Sequence, residues 1–267
     1  MSNGALTGSF GYEIPLGKKL RSTTSLSSGF RNPNIDDVTK IREKDGFLQI
    51  PNDDISPEYI YSLDQGIMLT PFENEALLSI IGAGFFSLWA DGIAPIATTY
   101  DGSTTTPYEG ESVLVETNVN LENALVFGVR CEIRSQLTSH LNFNGVVNYT
   151  AGHTIIGGSP LSHIPPLFGR VGFMYDKGKY SITAYSLFNG AKDVNLYGNE
   201  TTDNLAEALP NGTPAWWTLN LNASCDLNEN FHIQGGVQNI LDVHYKPFAS
   251  GISAPGRGFF IAINVNF

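Results

Sequence analysis

The chain has 267 residues, a formal net charge of −11 and a pI near 4.8, so it lacks the basic face that phosphate backbones require, which argues against nucleic-acid binding. Charged residues are 15% of the total, against about 25% in ordinary globular domains. Aromatics reach 11% and glycines number 28, a composition that favours strands and turns. The opening residues 1–8 lack the basic segment and apolar core of a secretion signal, and no run approaches the roughly 18 apolar residues of a spanning helix. Only a β-barrel would carry such a chain across a membrane.

In chain order, residues 6–14 and 20–30 alternate like strands about the short turn 15–18, and a long polar connection, 31–57, follows. Residues 58–69 turn through 70–74 into 76–90, and a second long loop, 91–112, contains the low-complexity run 103–106. Residues 113–134 read as one very long strand, turning at 135–140 into 141–150. The loop 151–166 precedes the pair 167–175 and 180–191, the loop 192–214 precedes the pair 216–225 and 231–241, and the loop 242–257 delivers 258–267. About eleven strands result, with every second connection short. Outer-membrane barrels have short periplasmic turns and long extracellular loops. The predicted fold class is therefore all-β, an antiparallel transmembrane β-barrel wall that starts outside and ends in the periplasm.

The faces support that placement, because side chains alternate across a strand with period two. In the last segment Phe259, Ile261, Ile263, Val265 and Phe267 share one face, and Gly258, Phe260, Ala262, Asn264 and Asn266 share the other. Likewise Trp217, Leu219, Leu221 and Ala223 alternate with Thr218, Asn220, Asn222 and Ser224. Apolar faces are expected to meet lipid and amide faces a hydrated lumen. A soluble β-sandwich also alternates, but it has no need of long loops at one end only. Trp89, Tyr149, Tyr175, Tyr180, Trp216 and Trp217, near strand ends, are expected in the interfacial aromatic girdles.

Catalytic and metal-binding patterns are missing. There is no Gly-x-Ser-x-Gly elbow and no His-Glu-x-x-His, and Gly11 to Lys18 has the wrong spacing for a phosphate loop. Cys131 and Cys225 sit in alternating apolar runs without ligand spacing and read as small apolar side chains. His153, His163 and His244 fall in expected outer loops with no ligand pattern, and His232, inside a strand, has no evident partner. The expectation is no enzyme, no metal and no cofactor.

Four segments resemble the TonB-dependent receptors of Gram-negative outer membranes. Ser28-Gly-Phe30-Arg31-Asn-Pro33 is similar to the family's phenylalanine-arginine-x-proline box. Asn52, Pro57 and Glu58, with Gly66 beyond, resemble its asparagine-x-x-leucine-x-proline-glutamate segment. Gly236-Val-Gln-Asn239-Ile-Leu-Asp242 with Tyr245 resembles the penultimate-strand signature, and Pro255-Gly256-Arg257 with terminal Phe267 the closing one. These residues also have plain structural roles. Pro33 and Pro57 lack a backbone donor and mark where pairing ends or begins. Asn239 and Asp242 are turn formers at a strand exit. Arg257 is expected to ion-pair with Asp242 near the rim.

The resemblance implies a 22-stranded barrel filled by a plug. Residues 1–267 are then a partial barrel domain, the C-terminal half of the wall, with plug, TonB box and signal peptide absent from this sequence. It implies an outer-membrane receptor for TonB-dependent uptake of a scarce nutrient, an iron–siderophore or similar chelate or a glycan, with the chain alone not transport-competent. The alternative is a passive or structural outer-membrane channel. Implied partners are outer-membrane lipid, the plug and N-terminal barrel half, TonB through that plug, and the barrel-assembly machinery through the strand ending at Phe267. Haem is disfavoured, because residues 31–57 contain no histidine between the two boxes. With an odd number of strands the first and last both descend, so an open curved sheet is expected rather than direct closure.

Overall fold

The computed structural model describes residues 5–44, 46–121, 123–198 and 203–266. In chain order it contains β1 (Ser9–Pro15), β2 (Leu20–Arg31), a short helix α1 (Ile35–Thr39), β3 (Arg42–Lys44), β4 (Phe47–Ile50), β5 (Glu58–Leu69), β6 (Ser79–Ala90), β7 (Ile93–Ala97), β8 (Thr105–Tyr108) and β9 (Glu111–Asn120). It continues with β10 (Ala124–Gln136), β11 (Leu141–Thr154), β12 (Phe168–Asp176), β13 (Tyr180–Asn189), β14 (Trp216–Asp226), β15 (Phe231–Gln238) and β16 (Gly258–Val265). Eleven strands form one antiparallel sheet in the order β1-β2-β5-β6-β10-β11-β12-β13-β14-β15-β16. β1 and β16 lie at opposite edges and do not pair with each other, so the sheet is open, as expected.

Register sets the two faces. In β16, Phe259 and Ile261 are 75% and 76% exposed, and they lie opposite Val237 and Gly235 of β15. The same face continues through Trp217, Leu221, Phe173, Val129, Phe86 and Leu63. No second sheet covers it among the described residues, which eliminates the sandwich and leaves lipid as its solvent. Where polar groups fall on the outward row, they satisfy one another. Gln65 donates to Ser22 Oγ at 2.9 Å and accepts from Thr24 Oγ1 at 2.8 Å.

Two of the expected girdle residues face inward instead. Trp89 lies opposite Ala124 on the inner face, and Trp216 lies opposite Asn189. Both occupy the extracellular ends of their strands, where the loops fold over them and offer packing that lipid does not. Tyr149, Tyr175, Tyr180 and Trp217 do face outward. Cys131 is exposed on the outward face and Cys225 half-buried, and the two form no disulfide.

Residues 113–134 are not one strand. β9 belongs to a separate five-stranded sheet above the rim, and the chain re-enters the wall only at β10. That small sheet joins two loops: β4 from the first loop pairs in parallel with β9 from the second, and β7 and β8 flank β9 on its other side. Leu48, Ile55, Val113 and Val115 are almost fully buried there. The chain's main hydrophobic core thus sits outside the wall, because the wall turns its apolar residues to lipid. Glu116 of β9 is partly buried in this layer, and burial pushes its carboxyl pKa up.

Three glycines in the wall are covered by the ring directly opposite: Gly169 by Phe188, Gly128 by Phe85 and Gly236 by Phe260. A ring lying over a cross-strand glycine fills the gap where the sheet coils and holds the register.

Gly169→Ala should destabilise the folded wall by about 1–3 kcal/mol through collision with Val146 O and the Phe188 ring. Gly82→Ala, which meets nothing within 4 Å, should be neutral, and equal urea midpoints for the two variants would contradict this account. Glu116 predicts a pH effect with a definite sign. Its raised pKa means that the loop sheet gains stability as pH falls through the folded value and loses it as the carboxylate ionises. Glu116→Gln should therefore slow hydrogen exchange in β9 at neutral pH and leave it unchanged in acid, where both side chains are neutral.

Candidate ligand-binding face

The first-loop residues form a fixture at the rim. Arg31, at the upper end of β2, bonds Asp37 Oδ2 at 2.7 Å through Nη1 and also bonds Glu58 Oε1 through Nε. Asp37 closes a capping box with Asn34 at the start of α1, and Glu58 Oε2 accepts from Ile93 N at 2.9 Å. One guanidinium therefore ties β2, α1, β5 and β7 together. Phe30 packs beside Tyr59 with ring centroids 6.4 Å apart. Pro33 ends β2 just before the helix cap, and Pro57 ends the loop just before β5. Asn52 Nδ2 donates to Asn118 O at 2.8 Å, crossing from the first loop to the second. Gly66 faces inward against Thr23, whose hydroxyl occupies the place of a β-carbon.

The last loop is fastened in the same style. Asn239 and Asp242 both adopt left-handed backbone, φ 49° and 54°. Asn239 N donates to Asn220 Oδ1 at 2.9 Å, and its side chain bridges Val243 through both Oδ1 and Nδ2. Asp242 Oδ1 accepts from Arg257 N at 2.7 Å, so the expected side-chain ion pair is replaced: the guanidinium instead donates to Ile240 O at 2.9 Å. Gly256 leaves room for that carboxylate, which a β-carbon would meet at 2.6 Å. Pro255 O accepts from Asn239 Nδ2 at 3.5 Å, and Tyr245 stacks on Trp216 with centroids 4.1 Å apart. Phe267 lies outside the described residues. Gly66 apart, the family-motif residues among those described thus fix loops to strand ends.

The inner wall carries the chemistry that the motifs lack. Arg130 and Arg134 both bond Glu132, so two cations share one anion and the cluster is net positive. Both arginines keep more than half of their side-chain surface open to the lumen. On β12, Arg170 lies over the Tyr185 ring at 4.2 Å. A lumenal cavity of about 660 Å³ touches Arg130, Asn148, Asp64 and Glu13. His232 does have a partner: its Nδ1 is 2.6 Å from Asp226 Oδ1 across the turn joining β14 to β15.

Above the rim, three loops meet around two buried charged residues. Asp203 is fully buried and accepts from His163 N at 2.8 Å and Gly198 N at 2.7 Å. Lys192, also buried, donates to Ile164 O and lies 4.2 Å over the Phe248 ring. Burial pushes the Lys192 pKa down, and the Asp203 charge partly opposes that shift. Lys192, Asp203, Tyr197 and Thr213 act as the anchor of the upper loops, with Tyr197 Oη and Thr213 Oγ1 2.6 Å apart. No spacing rule on the sequence joins these residues.

An antiparallel wall with lipid outside, a polar lumen inside and loops folded over one end is the wall of an outer-membrane β-barrel. The sequence matches the family model for the β-barrel of TonB-dependent receptor-like proteins over residues 2–240, and the chain belongs to that family. Its members are receptors and transporters of the Gram-negative outer membrane, not enzymes. No curated protein matches the sequence. Similar solved structures include the copper transporter OprC, at 20% identity and TM-score 0.75 over 98% of this chain and 40% of that one. The ferric enterobactin receptor PfeA from Pseudomonas aeruginosa matches at 15% identity and TM-score 0.75 over 98% and 40%. The siderophore receptor PirA from Acinetobacter baumannii matches at 16% and 0.73 over 98% and 41%. These likenesses concern the fold. The chain spans about 40% of the length of the solved structures it matches.

Removing the buried carboxylate should expose what the loop anchor contributes. Asp203→Ala leaves the amides of His163 and Gly198 without their acceptor and should destabilise the upper loops by about 1–3 kcal/mol, seen as faster proteolysis between β13 and β14. The double variant Asp203→Ala/Lys192→Met should recover part of that loss. A double variant no better than the single one would refute coupling between the two.

Proposed function

We propose that this chain is the C-terminal part of the wall of a receptor that takes up an anionic metal chelate, a siderophore complex or a similar one, with energy delivered through TonB. The observation that carries this reading is the net-positive cluster of Arg130 and Arg134 about Glu132, open to the lumen beneath the loops. A guanidinium presented from a preformed, partly desolvated wall attracts anions and orients carboxylate or catecholate oxygens. The copper, enterobactin and siderophore proteins of the same fold support the choice of a metal-bearing cargo.

The remaining parts of the reading rest on the family. A plug and the other strands of the barrel complete the lumen, the plug contacts TonB, and the C-terminal strand addresses the chain to the barrel-assembly machinery. On this reading residues 1–267 are one partial barrel domain, and transport requires the rest. Free strand edges at β1 and β16 support that requirement, since hydrocarbon leaves unpaired backbone groups unsatisfied.

The test uses the complete receptor in an outer-membrane host under iron limitation. Replacing both Arg130 and Arg134 by alanine should weaken binding of an anionic ferric chelate roughly tenfold or more and remove its salt dependence. Uptake should stop when the proton-motive force is dissipated. Unchanged affinity in the double variant, or uptake that survives de-energisation, would count against the proposal, the latter in favour of a passive channel.

A further inference from the structure

The inner faces of β11, β12 and β13 border a recess of about 190 Å³, below the roughly 300 Å³ at which sites for drug-sized ligands begin. Register defines its walls. Asn144 lies opposite Gly172 and Gly172 opposite Tyr185, while Asn142 and Thr183 both lie opposite Met174, one row lower. Arg170 stands one row above Gly172 on the same face. Gly172 itself is the floor, where a β-carbon would meet Tyr185 Cβ at 2.9 Å.

Arg170 is held in place without being neutralised. Its guanidinium lies 4.2 Å over the Tyr185 ring, a contact that engages the cation's face and leaves the N–H groups, which lie in its plane, free to donate. It makes no hydrogen bond or ion pair within the protein among the described residues, and the side chains of Asn142, Asn144 and Thr183 make none either. No carboxylate competes for the recess. β11, β12 and β13 contain one acid between them, Asp176, whose Oδ1 is turned into the tight turn and accepts from Gly178 N at 2.7 Å. Glu132 shares the row of Arg170 but lies two strands away, about 10 Å, and is already held by Arg130 and Arg134. Elsewhere on the wall polar side chains satisfy one another, as Gln65 does with Ser22 and Thr24. Here four unpaired ones converge on a cavity, the arrangement of a small-ligand site.

We infer that this recess binds inorganic phosphate. The guanidinium offers a fork of parallel N–H donors to two anionic oxygens. Further donors reach in from the flanking strands, the amides of β11 on one side and the Thr183 hydroxyl of β13 on the other. Donors spread over three strands suit a tetrahedral oxyanion better than a planar carboxylate. Phosphate at neutral pH also keeps a proton, and Asn142 and Asn144 accept through their carbonyl oxygens as well as donate. Sulfate has no proton to give them. The recess shares no strand with Arg130 and Arg134, so this inference stands or falls separately from chelate uptake.

The test is a phosphorus NMR titration of the complete receptor, purified in detergent, with inorganic phosphate at neutral pH. The phosphate signal should broaden saturably. Arg170→Gln, which keeps hydrogen-bonding reach and removes the charge, should weaken binding roughly tenfold, and Thr183→Val about threefold. Sulfate and glycerol 3-phosphate should each compete roughly fivefold less well than phosphate itself. If Arg170→Gln fails to fold, shown by loss of heat-modifiable gel migration, Thr183→Val and the competition series carry the test. Absence of saturable binding, or equal binding by the wild type and the folded variants, overturns the inference. A carboxylate from the rest of the receptor seated on Arg170 would appear as the first of these. Sulfate or glycerol 3-phosphate binding as tightly as phosphate would overturn the choice of ligand.

Discussion

Everything in this chain depends on one constraint: inside a hydrocarbon layer each backbone N–H and C=O must find its partner within the protein. The eleven-stranded ladder satisfies it strand by strand, and strict alternation follows, because a one-residue slip would exchange the lipid and lumen faces of a whole strand. The constraint also explains why the outward polar residues Ser22, Thr24 and Gln65 bond to one another. It explains the covered glycines too. Coiling the wall needs positions without side chains, and a ring from the paired strand fills each gap that coiling would otherwise open.

Spending the apolar residues on lipid leaves the loops with little hydrophobic material, so they are stabilised differently. The sheet of β3, β4, β7, β8 and β9 makes a small core of its own above the rim. Elsewhere polar fixtures substitute for a core: Arg31 with Asp37 and Glu58, Asn239 with Val243, and Asp203 with the amides of His163 and Gly198. Such groups are strong only when desolvated and fully partnered, and each of these carries several bonds. The loops are therefore ordered enough to present cavities of fixed shape.

Period-two alternation made the wall legible in the sequence, and the short–long rhythm of connections made its orientation legible. The break between β9 and β10 was not, because both segments alternate and only three residues separate them, of which Leu121 and Asn123 give no turn signal of the glycine or proline kind. The inward turn of Trp89 and Trp216 was hidden for a related reason. Facing follows register, and near a strand end the loop above decides which face offers packing. The His232–Asp226 contact did have a readable signal, since the two residues flank one tight turn and pair directly in the ladder. The motif residues were legible as fixtures. The arginines of the inner wall were visible only as polar positions in alternation, and the Lys192–Asp203 anchor joins loops too far apart in sequence for any spacing to show it.

The wall and the loops use charge in opposite ways. On the inner wall Arg130 and Arg134 outnumber the one carboxylate they share, which leaves a positive field that acts at a distance and weakens with salt. In the loops the charges cancel at contact: Lys246 meets Glu207 at 3.0 Å, and Arg31 is shared between Asp37 and Glu58. Charge is therefore a field over the lumen in one place and a local fastening in the other, and the loops need the fastening because the wall turns its apolar residues to lipid.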